Sequence, residues 1–195
     1  MRTLPPSPTG SVPDTSQIYP PREDTFFLLR MAQAEIRPDD IILEVGTGSG
    51  YIASSLQDLC TVIGTDINPH AVLLSHTRGV QVIRTDMARG LRRVFTMILF
   101  NPPYIPTDKD ERIHDWLEYA LDGGTDGRAP LARFLVHIPE VLAPGGRIMI
   151  LISSLQDFHR CEELFSHTGF LSTCIGSEIL EDGEKLRIYI LKKKD

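Results

Sequence analysis

The stretch Ile41 to Ala53, reading IILEVGTGSGYIA, constrains the fold more than any other part of the chain. A short apolar run ends in an acid, three glycines follow at alternate positions, and a helical pattern takes over. Gly46, Gly48 and Gly50 let the backbone turn sharply out of a strand and approach a ligand closely, because positive φ costs little and no Cβ intervenes. Ile52, Ala53, Leu56 and Leu59 recur at helical spacing, which aims the first N–H groups of that helix into the same crevice. Strand, glycine turn and helix in this order open a βαβ unit, whose loop lies at the carboxyl end of a parallel strand.

The rest of the chain continues the alternation. The patterning predicts strands at 41–45, 61–65, 80–84, 95–100, 146–152, 171–180 and 184–192, and helices near 24–36, 50–59, 69–76, 111–120, 128–143 and 156–167. Asp182-Gly183 is a tight hairpin signal, so the last strand is expected to run antiparallel to its neighbour. Residues 1–17 hold four prolines and almost no apolar side chains, a composition that reads as a flexible arm ahead of one domain over 18–195.

Composition excludes several function classes. A chain of 195 residues with 42% apolar content buries one sizeable core. A net charge of −6 gives no electrostatic footprint for wrapping nucleic acid, and Lys192 to Lys194 read as a solvated tail. Cys60, Cys161 and Cys174 have no C-x-x-C spacing, so neither a disulfide framework nor a metal site is expected. The unpaired cysteines point to a reducing cytoplasm, and with no apolar run of membrane-spanning length and no signal-peptide core the chain reads as soluble and not exported.

Two cofactors compete for the glycine loop. Gly48 to Ala53 also satisfies G-x-G-x-x-A, with Asp66 near the distance of a ribose-binding acid, which suits a nicotinamide dinucleotide and an oxidoreductase. Glu44 argues against it, because a carboxylate beside a pyrophosphate is repelled, whereas S-adenosylmethionine offers an α-ammonium and a sulfonium. Asp66, closing TVIGTD, is placed to accept both ribose hydroxyls, and also to cap the helix opened by Asn68-Pro69. Asp86, closing IRTD, is a candidate acceptor for the adenine amino group, with the Met87 N–H near the ring; a plain turn aspartate reads almost as well.

The second informative stretch is FTMILFNPPY, in which an apolar strand delivers Asn101-Pro102-Pro103-Tyr104 to the same sheet edge. Successive prolines fix φ and remove N–H donors, leaving carbonyls free to accept in a rigid frame. The Asn101 side-chain oxygen and the Pro102 carbonyl suit a planar NH2 group, with the Tyr104 ring stacked on the conjugated plane attached to it. Two acceptors gripping both hydrogens of a delocalised nitrogen turn its lone pair towards an electrophilic methyl.

Tyr19-x-Pro21-x-Glu23-Asp24-Thr25, Glu44-Val-Gly46-Thr-Gly48-Ser-Gly50, Asp66-Ile-Asn68-Pro69, Asp86, Asn101-Pro-Pro-Tyr104 and Ala120-Leu-Asp-Gly123-Gly124-x-x-Gly127 together resemble the HemK family of protein glutamine N5-methyltransferases, in its short archaeal and eukaryotic branch. The resemblance implies a Rossmann-like, seven-stranded, mostly parallel α/β sheet of order 3-2-1-4-5-7-6, with helices on both faces. It also implies methylation, by S-adenosylmethionine, of the glutamine in the Gly-Gly-Gln loop of a class I release factor. Thr25, Glu44, Gly46, Gly48, Gly50, Asp66, Asp86, Met87 and Asn101 would bind or frame the cofactor, and Asn101, Pro102 and Tyr104 would hold the glutamine. A small zinc-binding activator subunit adding a strand at the open edge 80–84 is implied as well. The segment between Asp66 and Val80 departs from the family in its shortness. The same Asn-Pro-Pro-Tyr motif serves adenine N6-methyltransferases, which the acidic composition disfavours.

Overall fold

The computed structural model describes residues 4–7, 10, 12–108, 110 and 114–194. Seven strands form one sheet: β1 (Ile41–Val45), β2 (Thr61–Asp66), β3 (Gln81–Arg84), β4 (Phe95–Phe100), β5 (Leu142–Ser153), β6 (Phe170–Ile179) and β7 (Lys185–Lys193). Their order is β3-β2-β1-β4-β5-β7-β6. The run from β3 to β5 is parallel; β7 is antiparallel to β6, as the Asp182-Gly183 turn requires, and also to β5. Gly183 sits at φ +88°, which only glycine adopts freely.

The helices are α1 (Glu23–Glu35), α2 (Tyr51–Leu56), α3 (Pro69–Thr77), α4 (Trp116–Leu121), α5 (Ala129–His137) and α6 (Phe158–His167). Both faces of the parallel strands are covered, so their side chains are apolar without alternation and divide by parity. Leu43, Val45, Ile98, Phe100, Ile148 and Ile150 face α5 and α6, meeting Leu131, Phe134 and Phe165. Ile42, Met97, Leu99, Met149 and Leu151 face α1 and α2, meeting Phe27, Leu28, Ile52 and Leu56. The sheet is thereby rigid at the strand ends that carry the glycine loop and the Asn-Pro-Pro-Tyr turn.

Three helix expectations need correction. The helix expected over 128–143 ends at His137 and continues as a single tight turn, Ile138–Glu140. Pro139 has no N–H to donate and its ring crowds the preceding turn, so the α-helix cannot pass it. The chain then enters β5 at Leu142, earlier than the expected 146, because Leu142 pairs with Phe95 ahead of a register shift. The helix expected over 50–59 ends at Leu56, where the chain tightens as Leu59 N–H donates to the Leu56 carbonyl. Of the helix expected over 111–120, residues 111–113 lie outside the described residues. α4 begins at Trp116, capped by Asp115, whose carboxylate accepts the Glu118 N–H at 2.7 Å.

Described parts of the proline-rich N-terminal segment pack on the domain. The Trp116 indole N–H donates to the Pro6 carbonyl at 2.8 Å, the Asn68 amide to the Gln17 carbonyl at 2.9 Å, and Asp14 N–H to His70 Nδ1 at 3.0 Å. Among the described residues no helix is long and apolar enough to cross a membrane. No group of three or more His, Cys, Asp or Glu side chains there is arranged to hold a metal ion.

Candidate active site

A cavity of about 650 Å³ opens at the carboxyl ends of β1, β2 and β4. Thr25, Glu44, Gly46, Gly48, Asp66, Asp86, Met87, Asn101, Pro102 and Tyr104 all line it. Gly50 does not. A Cβ at Gly50 would lie 2.9 Å from Ser75, so this glycine serves the close packing of α3 against the loop.

The glycine loop is braced by two carboxylates. Glu44 Oε2 accepts the Thr47 hydroxyl at 2.6 Å and the Ala53 N–H at 3.0 Å, giving α2 the cap that Gly50, with no side chain, cannot supply. Asp66 Oδ2 accepts the Gly48 N–H at 2.9 Å and its Oδ1 the Asn68 N–H at 2.8 Å, while Asn68 caps α3 through His70 N–H. Neither acid has a cationic partner among the described ion pairs. Burial therefore pushes Glu44 up to about 8 and Asp66 up to about 6, against the hydrogen bonds that favour the ionised forms. Both acids are placed to receive a cation or hydroxyl donors.

Asp86 differs. Arg133 holds its Oδ2 at 2.7 Å and Arg89 lies at 4.0 Å, so this carboxylate is already paired. Next to it Met87 adopts φ +57°, a left-handed conformation rare for a side-chain-bearing residue, at the pocket wall.

At the other end of the cavity Asn101 donates its Nδ2 to Asp24 Oδ2 at 2.9 Å. Its Oδ1 is buried and, among the described residues, is the single buried side-chain nitrogen or oxygen without a hydrogen-bond partner. Buried polar atoms are nearly always satisfied, so an orphan acceptor in a cavity wall marks where a ligand donor belongs. Burial and the neighbouring Asp24 push the Tyr104 hydroxyl well above the usual phenol range, keeping the ring neutral. Glu184, from the hairpin between β6 and β7, reaches the same wall and accepts from Ser153 Oγ at 2.5 Å.

Sequence patterning missed Asp24, Tyr19, Trp116 and Glu184 as pocket residues. Asp24 reads from sequence as an acid complementing the α1 dipole; only its burial, at 3% exposure, sets it apart. The sole tryptophan of the chain at the start of a predicted helix was a usable signal for Trp116.

No protein-family model matches the chain. A Methanocaldococcus jannaschii protein named "putative protein N5-glutamine methyltransferase" is 38% identical over 147 residues, covering 71% of this chain and 74% of that relative. Human methyltransferase HEMK2 is 36% identical over 148 residues, covering 67% of this chain and 69% of HEMK2. Among solved structures, the E. cuniculi Mtq2–Trm112 complex, described as responsible for methylation of the translation termination factor eRF1, superposes with a TM-score of 0.76 at 26% identity, over 92% of this chain and 99% of that chain. With the sheet order, the glycine loop and the Asn-Pro-Pro-Tyr turn in place, these matches show that the chain belongs to the family of protein N5-glutamine methyltransferases.

Proposed function

We propose that the protein transfers a methyl group from S-adenosylmethionine to the side-chain amide of a glutamine in a class I release factor. The observation that carries this reading is the unpartnered Asn101 Oδ1, an acceptor held in the wall beside the glycine loop. Glu44, Gly46, Gly48, Asp66 and Thr25 would hold the cofactor, with Asp66 on the ribose hydroxyls; Met87 would lie near the adenine. Asp86 would contribute to that end with its Arg133 pairing retained. When bound, S-adenosylmethionine supplies an electrophilic methyl on a sulfonium sulfur.

The chain's own residues handle the acceptor. A glutamine amide nitrogen is a poor nucleophile because its lone pair is delocalised into the carbonyl. Asn101 Oδ1 and the Pro102 carbonyl would each accept one N–H, fixing the nitrogen and turning its lone pair towards the methyl. Tyr104, neutral and flat, would stack on the amide plane. The proton surplus on the methylated nitrogen leaves to water, and no side chain is needed as base, because an N-protonated amide is a strong acid. The test is mass spectrometry of a release factor after incubation with the enzyme and cofactor. A single methyl on the Gly-Gly-Gln glutamine supports the reading; methylation elsewhere only, or none by either the lone chain or the chain co-expressed with a partner, contradicts it.

A partner at the β3 edge is part of this proposal. Among the described residues β3 pairs only with β2, Ile83 is 42% exposed on it, and a groove lined by Ile63, His76 and Gly79–Ile83 runs alongside. An open edge of this kind templates strand addition. The solved Mtq2 relative is itself a complex with a second protein, Trm112. Co-expression with candidate small proteins, compared with the lone chain for solubility and turnover, tests it. A lone chain that is monodisperse and fully active contradicts it.

A further inference from the structure

We infer that Asp24 is a positioning residue for the methyl acceptor, acting through Asn101 and not by touching the substrate. The inference rests on the reading of Asn101 given above. A side-chain amide has two orientations of nearly equal shape, and only one presents oxygen to an incoming NH2. Asp24 decides between them. Its Oδ2 accepts from Asn101 Nδ2 at 2.9 Å, and the residue is 3% exposed, so the bond is made by a buried carboxylate. In the flipped orientation the amide oxygen would face the carboxylate, acceptor against acceptor, while the amide NH2 would face a substrate NH2, donor against donor. Both ends would lose. In the observed orientation Oδ1 is left buried and unpartnered. Donation to an anion also polarises the amide, which makes Oδ1 the stronger acceptor.

The carboxylate is itself locked. Oδ1 of Asp24 accepts the Thr25 N–H at 2.6 Å and its hydroxyl at 3.2 Å, and the Tyr19 hydroxyl lies 3.4 Å from each oxygen. A residue present merely to serve the start of α1 would need Oδ1 alone. Oδ2 is committed to a residue from the far side of the chain, at the end of β4. The segment Tyr19 to Thr25 therefore does more than close the cofactor pocket: it sets the amide on which acceptor geometry depends.

The experiment is Asp24→Asn, which keeps the volume and an amide oxygen for the Thr25 N–H but removes the charge and the enforced orientation. On release factor kcat should fall by ~10- to 100-fold, the scale of a lost charge-assisted hydrogen bond. S-adenosylmethionine affinity, melting temperature and KM should stay close to wild type. Unchanged kcat, or a loss that tracks lost cofactor affinity, overturns the inference. Asn101→Ala measured alongside separates the levels: an active Asn101→Ala sinks the reading of the site itself, whereas an inactive Asn101→Ala with a fully active Asp24→Asn sinks Asp24 alone. In the Asn101→Ala background Asp24→Asn should add far less loss than it causes alone, the remainder passing through the neighbouring Tyr104 hydroxyl. Should Asp24→Asn fail to fold, the wild-type protein still decides. NMR of the Asn101 side-chain amide should show one proton shifted strongly downfield by the carboxylate, and two ordinary amide protons would overturn the assignment.

Discussion

The two ends of β1 carry buried carboxylates that share almost everything except a partner. Asp40, just before the strand, is 4% exposed, and Glu44, near its end, is 5% exposed. Asp40 meets Arg147 at 2.7 and 3.0 Å, accepts the Thr96 hydroxyl at 2.7 Å and the Arg37 N–H at 2.8 Å. Burial pushes its carboxyl up, but these bonds outweigh burial and hold it down at about 2. Glu44 has hydrogen bonds and no cation, and burial wins, pushing it up to about 8. The amino end of the sheet is electrostatically closed. The carboxyl end keeps uncompensated acids, a left-handed Met87 and an orphan acceptor, the features of a surface finished by ligands.

The largest effect should come from opening the closed end. Arg147→Met leaves Asp40 buried without its cation, which costs about 3–5 kcal/mol when one partner of such a pair is removed. Chemical denaturation should show the loss, and cofactor affinity of the still-folded protein should be unchanged. A near-neutral result would mean that the amino end is not held by this pair.

Next in size is Asp66→Ala. Losing charge-assisted hydrogen bonds to the ribose should weaken S-adenosylmethionine binding by about 1.5–3 kcal/mol, read by calorimetry. Unchanged affinity would remove Asp66 from the site.

The subtlest contrast is in pH. A carboxyl whose folded value is raised stabilises the fold below its unfolded value and loses that contribution as pH rises through the folded one. For Asp66 and Glu44 the unliganded protein should thus lose stability from about pH 4 up to about 6 and 8. Asp40 acts oppositely: its contribution is present above the ordinary aspartate range and is lost as pH falls towards about 2. The positively charged cofactor prefers the ionised acids, so its affinity should rise between about pH 6 and 8 and binding should release protons, visible in calorimetry across buffers of different ionisation enthalpy. Proton uptake would contradict the account.

The strands were legible because a sheet buried on both faces writes apolar runs that helices and glycines interrupt, whereas their order followed only from the family resemblance. The cofactor side was legible for the same reason: Glu44, Gly46, Gly48 and Asp66 sit where strands end. Contacts between distant positions were not. Nothing local ties Asp40 to Arg147, Asp86 to Arg133, or Asp24 to Asn101, and the break at Pro139 was hidden by an apolar pattern that fits a helix on either side of it. Gly50 reads as a ligand-side glycine by spacing, whereas its neighbour in space is Ser75.

The central claim is that Asn101 holds the methyl acceptor and not merely the fold, and Asn101→Ala tests it most directly. Single-turnover methylation of release factor, measured with S-adenosylmethionine affinity on the same preparation, should show a rate lower by about two orders of magnitude or more, with affinity reduced far less. A variant that methylates the glutamine at near wild-type rate would contradict the account.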